Sequence, residues 1–385
     1  MFLQLDPVTD FILASLENSG FSLYIVGGSL RNRLLGLDVH DTDFTTNATP
    51  AQVKQIFSSY TAIDTGIRHG TVTLVIDHVP YEITTMRTEG TYSDNRRPDC
   101  VFYTDSIEED LKRRDFTVNA LAYSPKSGLV DLFGGLSDLE NRVLRTVGEP
   151  AERFSEDALR IMRGLRFSSV LGFEIENETK SAMFHYSHLL KNISVERIYN
   201  ELISMLDGNN FDKVLRDFLP VFKLIMPEMR LPEANLGELP KHLFRLASLF
   251  EGETEAENCL HRLKADNFTI KTVKALISSE PIPFGDVEIK KYLRKNQANT
   301  LDIALFRETF YKEKGSFSRV KSVLDSGECY SLSMLAVNGN DIASLGFSKS
   351  EIGEVLEELL DKVISRRLDN KKEVLIEAAK IIDKQ

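Results

Sequence analysis

Asp41 and Asp43 are the two carboxylates whose spacing first suggests chemistry, and Phe44 with two threonines follows them. That run predicts a strand, and in a strand residues i and i+2 project to one face, so both carboxylates would point together. Two carboxylates that close repel each other unless a cation lies between them. The pair is therefore a candidate ligand set for a hard, oxygen-liganded metal such as Mg2+. Upstream, the apolar run Leu23 to Val26 reads as a buried strand ending at Gly27-Gly28. Ser29 suits a helix N-cap, and Leu30, Leu34 and Leu35 recur at helical spacing. A glycine turn at a helix start presents backbone N–H groups to phosphate. A phosphate cradle beside a metal-binding pair is the equipment of nucleotidyl transfer.

Three further stretches carry chemical potential. Lys112 to Ala120 reads KRRDFTVNA: Arg113-Arg114 is either a solvated charge cluster or a planar donor fork for phosphate, and Asp115-Phe116-Thr117 reads as a capped helix start. Glu156-Asp157-Ala158-Leu159-Arg160 places Asp157 and Arg160 at i and i+3 of a predicted helix. One reading is an intrahelical ion pair. The other is a template for a base edge, in which the aspartate accepts from the amino group of cytosine or adenine and the arginine donates to the neighbouring ring acceptors. Arg163 and Arg166 continue the series but rotate off that face, toward phosphate or RNA backbone. Met86 to Phe102, long and polar, predicts an exposed loop, either functional or a solvated insertion. His40-Asp41 does not make a metal phosphohydrolase site, because the remaining histidines form no matching ligand set.

The elements that must position these residues are mixed at first and helical later. Strands are expected at Leu23–Val26, Asp43–Thr45, Ala62–Asp64, Thr71–Ile76, Pro80–Thr85 and Leu129–Leu132, with a hairpin turn at Asp77-His78-Val79. Helices are expected after Ser29, after Pro50 and around Phe116–Ala122, and from about Leu136 onward apolar spacings of three and four dominate. A chain of 385 residues holds two or more domains, and 42% hydrophobic with 27% charged residues is ordinary for a soluble globular protein. The net charge of -11 excludes indiscriminate coating of nucleic acid but leaves a local basic channel open. A basic stripe is expected at Lys290, Lys291, Arg294, Lys295, Arg319 and Lys321, the alternative being a solvated charged face. Cys100, Cys259 and Cys329 make neither a disulfide framework nor a zinc site. No basic leader and no apolar run near ~18 residues occurs, so a cytoplasmic protein with no membrane partner is expected.

Taken together, GGSLRN at 27–32, DTD at 41–43, EGTYSDNRRPD at 89–99, RRDFTVNA at 113–120 and EDALRIMR at 156–163 resemble the class II CCA-adding enzymes. These are tRNA nucleotidyltransferases of the poly(A) polymerase family, here of the bacterial type without an HD domain. The resemblance is specific over residues 20–170 and weaker to the C-terminus, where the family usually has Gly-Pro and this chain has Ser348-Lys349-Ser350. It implies an α+β fold, with a polymerase-β-like nucleotidyltransferase head (a mixed sheet with helices) followed by an all-helical neck, body and tail. The divisions would fall at residues 1–147, 148–207, 208–315 and 316–385. It implies template-independent addition of CCA to the 3′ end of tRNA from CTP and ATP, by two-metal nucleotidyl transfer with pyrophosphate release, with body and tail holding the acceptor–TΨC half. It implies nucleotide contact by Gly28, Arg31 and Arg114, Mg2+ binding by Asp41 and Asp43, and base selection by Asp157 and Arg160, with Arg163 and Arg166 lining the pocket. Glu82 lies where some superfamily members keep a third carboxylate, though a strand glutamate also suits a structural ion pair. The loop at Glu89–Asp99 favours full CCA addition. The alternatives are an A-adding enzyme, a poly(A) polymerase, or a non-catalytic RNA-binding protein with a degenerate head.

Overall fold

The computed structural model describes residues 3–39, 41–66, 70–90, 101–296 and 299–382. Two compact units emerge: one holds residues 1–228 with 262–265, the other 229–261 with 266–385.

The first unit begins with α1 (Pro7–Asn18), which was not expected, and whose Asp6 cap accepts from Thr9 N. Then follow β1 (Leu23–Val26), α2 (Gly27–Leu34), β2 (Asp43–Thr46), α3 (Pro50–Ile56), β3 (Thr61–Gly66), β4 (Thr71–Ile76) and β5 (Val79–Thr85). Next come β6 (Arg87–Glu89), β7 (Val101–Tyr103), α4 (Ile107–Lys112), β8 (Leu121–Ser124) and β9 (Gly128–Asp131). Seven of these strands form one sheet in the order β3-β4-β5-β2-β1-β8-β9. Only β2 and β5 pair in parallel; the other neighbours are antiparallel. The β4–β5 hairpin turns at Asp77 and His78, both at positive φ (49° and 66°), the conformation a two-residue hairpin of this twist requires. Strands β6 and β7 pair separately and take up both ends of the expected Met86–Phe102 loop, which is to that extent corrected; its residues 91–100 lie outside the described residues.

Alternation along the central strands sorts the two faces. Leu23 and Ile25 of β1, Phe44 of β2, Tyr81 and Ile83 of β5, and Leu121 and Tyr123 of β8 enter a core closed by Ile12, Leu13 and Leu16 of α1 and by Val53 and Phe57. The alternate residues Val26 and Ala122 join Leu111, Ala120 and Val147 in a second, smaller core. Asp43 and Thr45 therefore share the second face of β2, and Glu82, in register with Asp43, projects on that same face.

The helical part of this unit comprises α5 (Gly135–Glu140), α6 (Pro150–Glu156), α7 (Leu159–Leu171), α8 (Asn177–Tyr186), α9 (Val195–Leu206), α10 (Phe211–Asp217) and α11 (Leu219–Ile225). A short parallel pair, β10 (Val143–Leu144) with β11 (Glu174–Ile175), interrupts it. Every regular element of the second unit is helical among the described residues, from a 3-10 turn at Leu236–Glu238 to a helix at Lys372–Ile381.

Several local expectations are corrected. Ser29 is not the cap of α2, which starts at Gly27; its hydroxyl donates to Val26 O at 2.9 Å and accepts from Asp43 N at 3.2 Å. Phe116–Ala122 is not a helix but one 3-10 turn, Thr117–Asn119, leading into β8. Asp41 precedes β2 rather than lying within it. The basic stripe is largely neutralised. Buried Lys290 pairs with Glu328, Arg294 with Asp361 at 2.8 Å and with Glu357, Lys295 with Glu280 at 3.2 Å, and Arg319 with Glu313 at 3.1 Å.

Candidate active site

The strand β1 ends where the chain must turn sharply into α2, and Gly27 makes that turn at φ 68°. A Cβ there would stand 3.3 Å from Arg114 Nη1 and 3.5 Å from Asp43 Oδ2, so the glycine lets backbone, guanidinium and carboxylate meet. Asp43 is partly enclosed. Burial first, then the Glu82 carboxylate and Asp41, push its carboxyl up to about 6, and Arg114 only partly opposes them. Asp41 and Glu82 thus bear on Asp43 electrostatically, with Arg114 as the opposing cation. Among the described residues no three His, Cys, Asp or Glu side chains are grouped closely enough to hold a metal ion. The donors on offer are therefore the carboxylate oxygens of Asp41 and Asp43, a type that suits a hard divalent cation. Glu82, at first as readily a structural ion pair, is the stronger of the two acidic neighbours of Asp43.

Arg114 is aimed by a residue that spacing could have flagged. Asp110, with no exposed surface, lies three and four positions before Arg113 and Arg114 on α4. It accepts from Arg113 Nη2 at 2.7 Å, Arg114 Nη2 at 3.1 Å, Arg87 N at 3.3 Å and Thr45 Oγ1 at 3.4 Å. Burial alone would raise its pKa, but the two guanidiniums outweigh that and hold it below the usual carboxylate range.

A second chain of charges runs from α2 to α9. Arg31 Nη1 donates to Asn119 Oδ1 at 2.6 Å, and Asn119 donates to Asp115 Oδ1 at 3.1 Å. Asp115 Oδ2 accepts from Arg163 Nε at 2.8 Å, while Glu201 pairs with Arg163 at 3.6 Å and with Arg166 at 2.7 Å. Asp115, expected only as a helix cap, is the buried hub of this chain. Burial would raise its carboxyl, yet Arg163, the hydrogen bonds it receives and Arg160 bring it down to about 2. Burial, opposed by Asp115 and reinforced by Arg166 and Arg163, brings the Arg31 guanidinium down to about 10. The 3-10 turn after Asp115 is what presents Asn119 to both partners. Gly28 sits beside this chain: a Cβ on it would approach Arg31 Nη2 at 3.5 Å.

The expected Asp157–Arg160 face is corrected. The helix breaks at Asp157, which ends α6 in an extended conformation (φ -136°, ψ 103°) before α7 begins. Asp157 Oδ1 accepts from Leu159 N at 3.0 Å and Oδ2 from Arg197 Nη2 at 2.8 Å. Buried Arg160 turns to Glu156 at 2.5 Å and to the carbonyls of Arg153 at 3.1 Å and Arg113 at 2.9 Å. The two side chains flank one break and are not each other's ion-pair partner. Arg197 and Glu201, four residues apart on α9, were not singled out from the sequence; nothing in their own spacing points to partners forty residues upstream.

Known proteins place this geometry in a family. The model of the poly(A) polymerase head domain matches residues 23–145, and that of a probable RNA- and SrmB-binding site of polymerase A matches residues 172–229. A putative tRNA nucleotidyltransferase domain 2 matches residues 243–379. The CCA-adding enzyme of Ligilactobacillus salivarius is 39% identical over 96% of this chain and 95% of its own length. That of Enterococcus faecalis is 37% identical over 96% and 94%. The crystal structure of the Bacillus stearothermophilus CCA-adding enzyme in complex with CTP superposes with a TM-score of 0.81, at 29% identity, over 97% of both chains. The Thermotoga maritima CCA-adding enzyme complexed with tRNA shares the fold, with a TM-score of 0.69 at 21% identity over 97% of this chain and 95% of that one. Among the described residues no helix is long and apolar enough to cross a membrane. With family models spanning most of the chain and full-length relatives at this identity, the chain belongs to the CCA-adding enzymes and is a tRNA nucleotidyltransferase.

Proposed function

We propose that this protein adds C, C and A in turn to the 3′ end of tRNA from CTP and ATP, without a nucleic-acid template and with release of pyrophosphate. The observation that carries the reading is the convergence at Gly27, where an added Cβ would lie 3.3 Å from Arg114 Nη1 and 3.5 Å from Asp43 Oδ2. Asp41 and Asp43, with Glu82 beside them, would hold Mg2+; when bound, that metal supplies a Lewis acid that acidifies the tRNA 3′-hydroxyl and offsets triphosphate charge. The hydroxyl oxygen attacks the α-phosphorus, the bond to the bridging oxygen breaks, and pyrophosphate leaves. Gly28, Arg31 and Arg114 would contact the triphosphate, drawing on the planar donor fork of each guanidinium.

Asp157 and Arg160 would read the base, with Arg163 and Arg166 lining the pocket. Each Asp157 oxygen, having accepted one hydrogen bond, keeps acceptor capacity for an exocyclic amino group. Arg160, with three donors engaged, keeps others for the ring acceptors. Uracil and guanine present a carbonyl where the amino group should be, at a cost of roughly 1–3 kcal/mol per contact. The head would occupy residues 1–147, the neck 148–207, the body 208–315 and the tail 316–385, with body and tail holding the acceptor–TΨC half of tRNA in the cytoplasm. Incubation with tRNA ending at its discriminator base tests this. CTP alone should give CC and the nucleotide pair CCA, whereas A only, or an A homopolymer, would overturn the assignment in favour of an A-adding enzyme or a poly(A) polymerase.

A further inference from the structure

Phe167, on α7, is surrounded by three guanidiniums: Arg166 at 4.5 Å, Arg31 at 5.1 Å and Arg163 at 5.3 Å from its ring centroid. All three distances lie within cation–π range. The ring is 7% exposed and meets Phe116 edge-on, with centroids 5.9 Å apart and planes at 87°. Phe116 itself follows Asp115 directly, and a Cβ on Gly164 of α7 would fall 2.9 Å from it, so α7 is seated tightly on that segment.

Charge makes this arrangement unusual. Three cations share one ring; Arg163 and Arg166 are paired with the carboxylates of Asp115 and Glu201, whereas Arg31 donates to Asn119 and Asn32. Mutual repulsion already contributes to the lowered pKa of Arg31 and of Arg166. A leucine would fill similar space but offer the guanidiniums nothing, whereas an aromatic face attracts each of them through its quadrupole. Arg31 comes from α2, and Arg163 and Arg166 come from α7, so one side chain gathers cations from two elements.

We propose that Phe167 is a positioning residue for nucleotide binding: its ring holds Arg31, Arg163 and Arg166 together, against their repulsion, in a preformed site for the polyphosphate of the incoming nucleotide. This rests on the assignment of those arginines to nucleotide contact given above, and it places the Arg163 and Arg166 contacts on the phosphates rather than on the base. It adds a specific cause for their convergence. Because the ring acts on phosphate contacts common to both substrates, its loss raises KM for CTP and ATP alike and leaves the choice between them unchanged.

The test replaces Phe167 in the full-length protein by 4-fluoro- and pentafluorophenylalanine, which keep the ring while draining its negative face, alongside Phe167→Leu, Phe167→Tyr and Arg163→Ala. KM for both nucleotides should rise stepwise with fluorination and by about tenfold in Phe167→Leu, with kcat changed far less and with Phe167→Tyr near the native value. The melting temperature of the fluorinated proteins should not track that rise. A flat KM across the fluorinated series, with Arg163→Ala still raising KM, would overturn the role of the ring alone. Flat KM values in Arg163→Ala as well would overturn the nucleotide-contact assignment beneath it.

Discussion

Replacing Asp43 by asparagine should stabilise the metal-free protein while abolishing its activity. The native carboxyl is pushed from its ordinary 3.8 up to about 6 by burial, Glu82 and Asp41, against Arg114. Between pH 4 and 6 the folded state therefore binds more protons here than the unfolded chain, and stability falls as pH rises through that window. Above it, a shift of about two units corresponds to about 3 kcal/mol, which solvent screening at this partly open site reduces to about 1–3 kcal/mol. Asparagine carries no charge and escapes that cost. Unfolding of both proteins should be followed from pH 4 to 8 in EDTA and again with Mg2+. In EDTA at pH 7 to 8 Asp43→Asn should be the more stable, the gap should close toward pH 4, and Mg2+ should narrow it by stabilising the native protein. A native protein as stable as the variant at pH 8 in EDTA would refute the idea that these carboxylates are frustrated without a cation.

Other perturbations probe separate parts of the site. Gly27→Ala, at a positive φ and 3.3 Å from Arg114, should cost about 1–2 kcal/mol in stability and lower incorporation about tenfold or more. Native kcat/KM in that variant would separate the turn from catalysis. Asp157→Ala should raise UTP use relative to CTP by about tenfold, a contact worth roughly 1–3 kcal/mol; unchanged selectivity would refute the base template. Asp115→Asn removes the nearer of the two carboxylates paired with Arg163, leaving Glu201, and should cost about 2–3 kcal/mol by urea unfolding at pH 7. The native protein should lose about 2–2.5 kcal/mol as pH falls from about 4 to below 2, because the Asp115 carboxyl is held down from 3.8 to about 2.

The chemistry was legible where it is local. The Gly27-Gly28 turn and the β4–β5 hairpin rest on neighbours in the chain and stand where the residues imply, whereas only Asp43 of the Asp41/Asp43 pair lies in its expected strand. The seven-stranded order was not legible, because a parallel β2–β5 contact depends on a pairing forty residues apart that no period encodes. Glu82 illustrates the consequence: its relation to Asp43 exists only through that register. The Phe116–Ala122 stretch misled for a different reason: Asp115 resembles a helix cap, while tertiary packing uses Leu121–Ser124 as a strand of the sheet. Asp157 misled similarly. Its spacing to Arg160 fits a helix, yet its side chain caps Leu159 N and breaks the helix instead. Carboxylates remote in sequence, such as Glu328 and Asp361, reach four of the six residues of the expected basic stripe in the fold, which no spacing encodes.

The central claim is that the carboxylates at the Gly27 turn perform the transfer while other parts of the chain hold the tRNA. Asp41→Ala and Asp43→Ala, assayed for incorporation of CTP and ATP and, in parallel, for tRNA binding, test it most directly. Incorporation should be abolished in each variant with tRNA affinity close to native. Appreciable turnover in either variant would contradict the account.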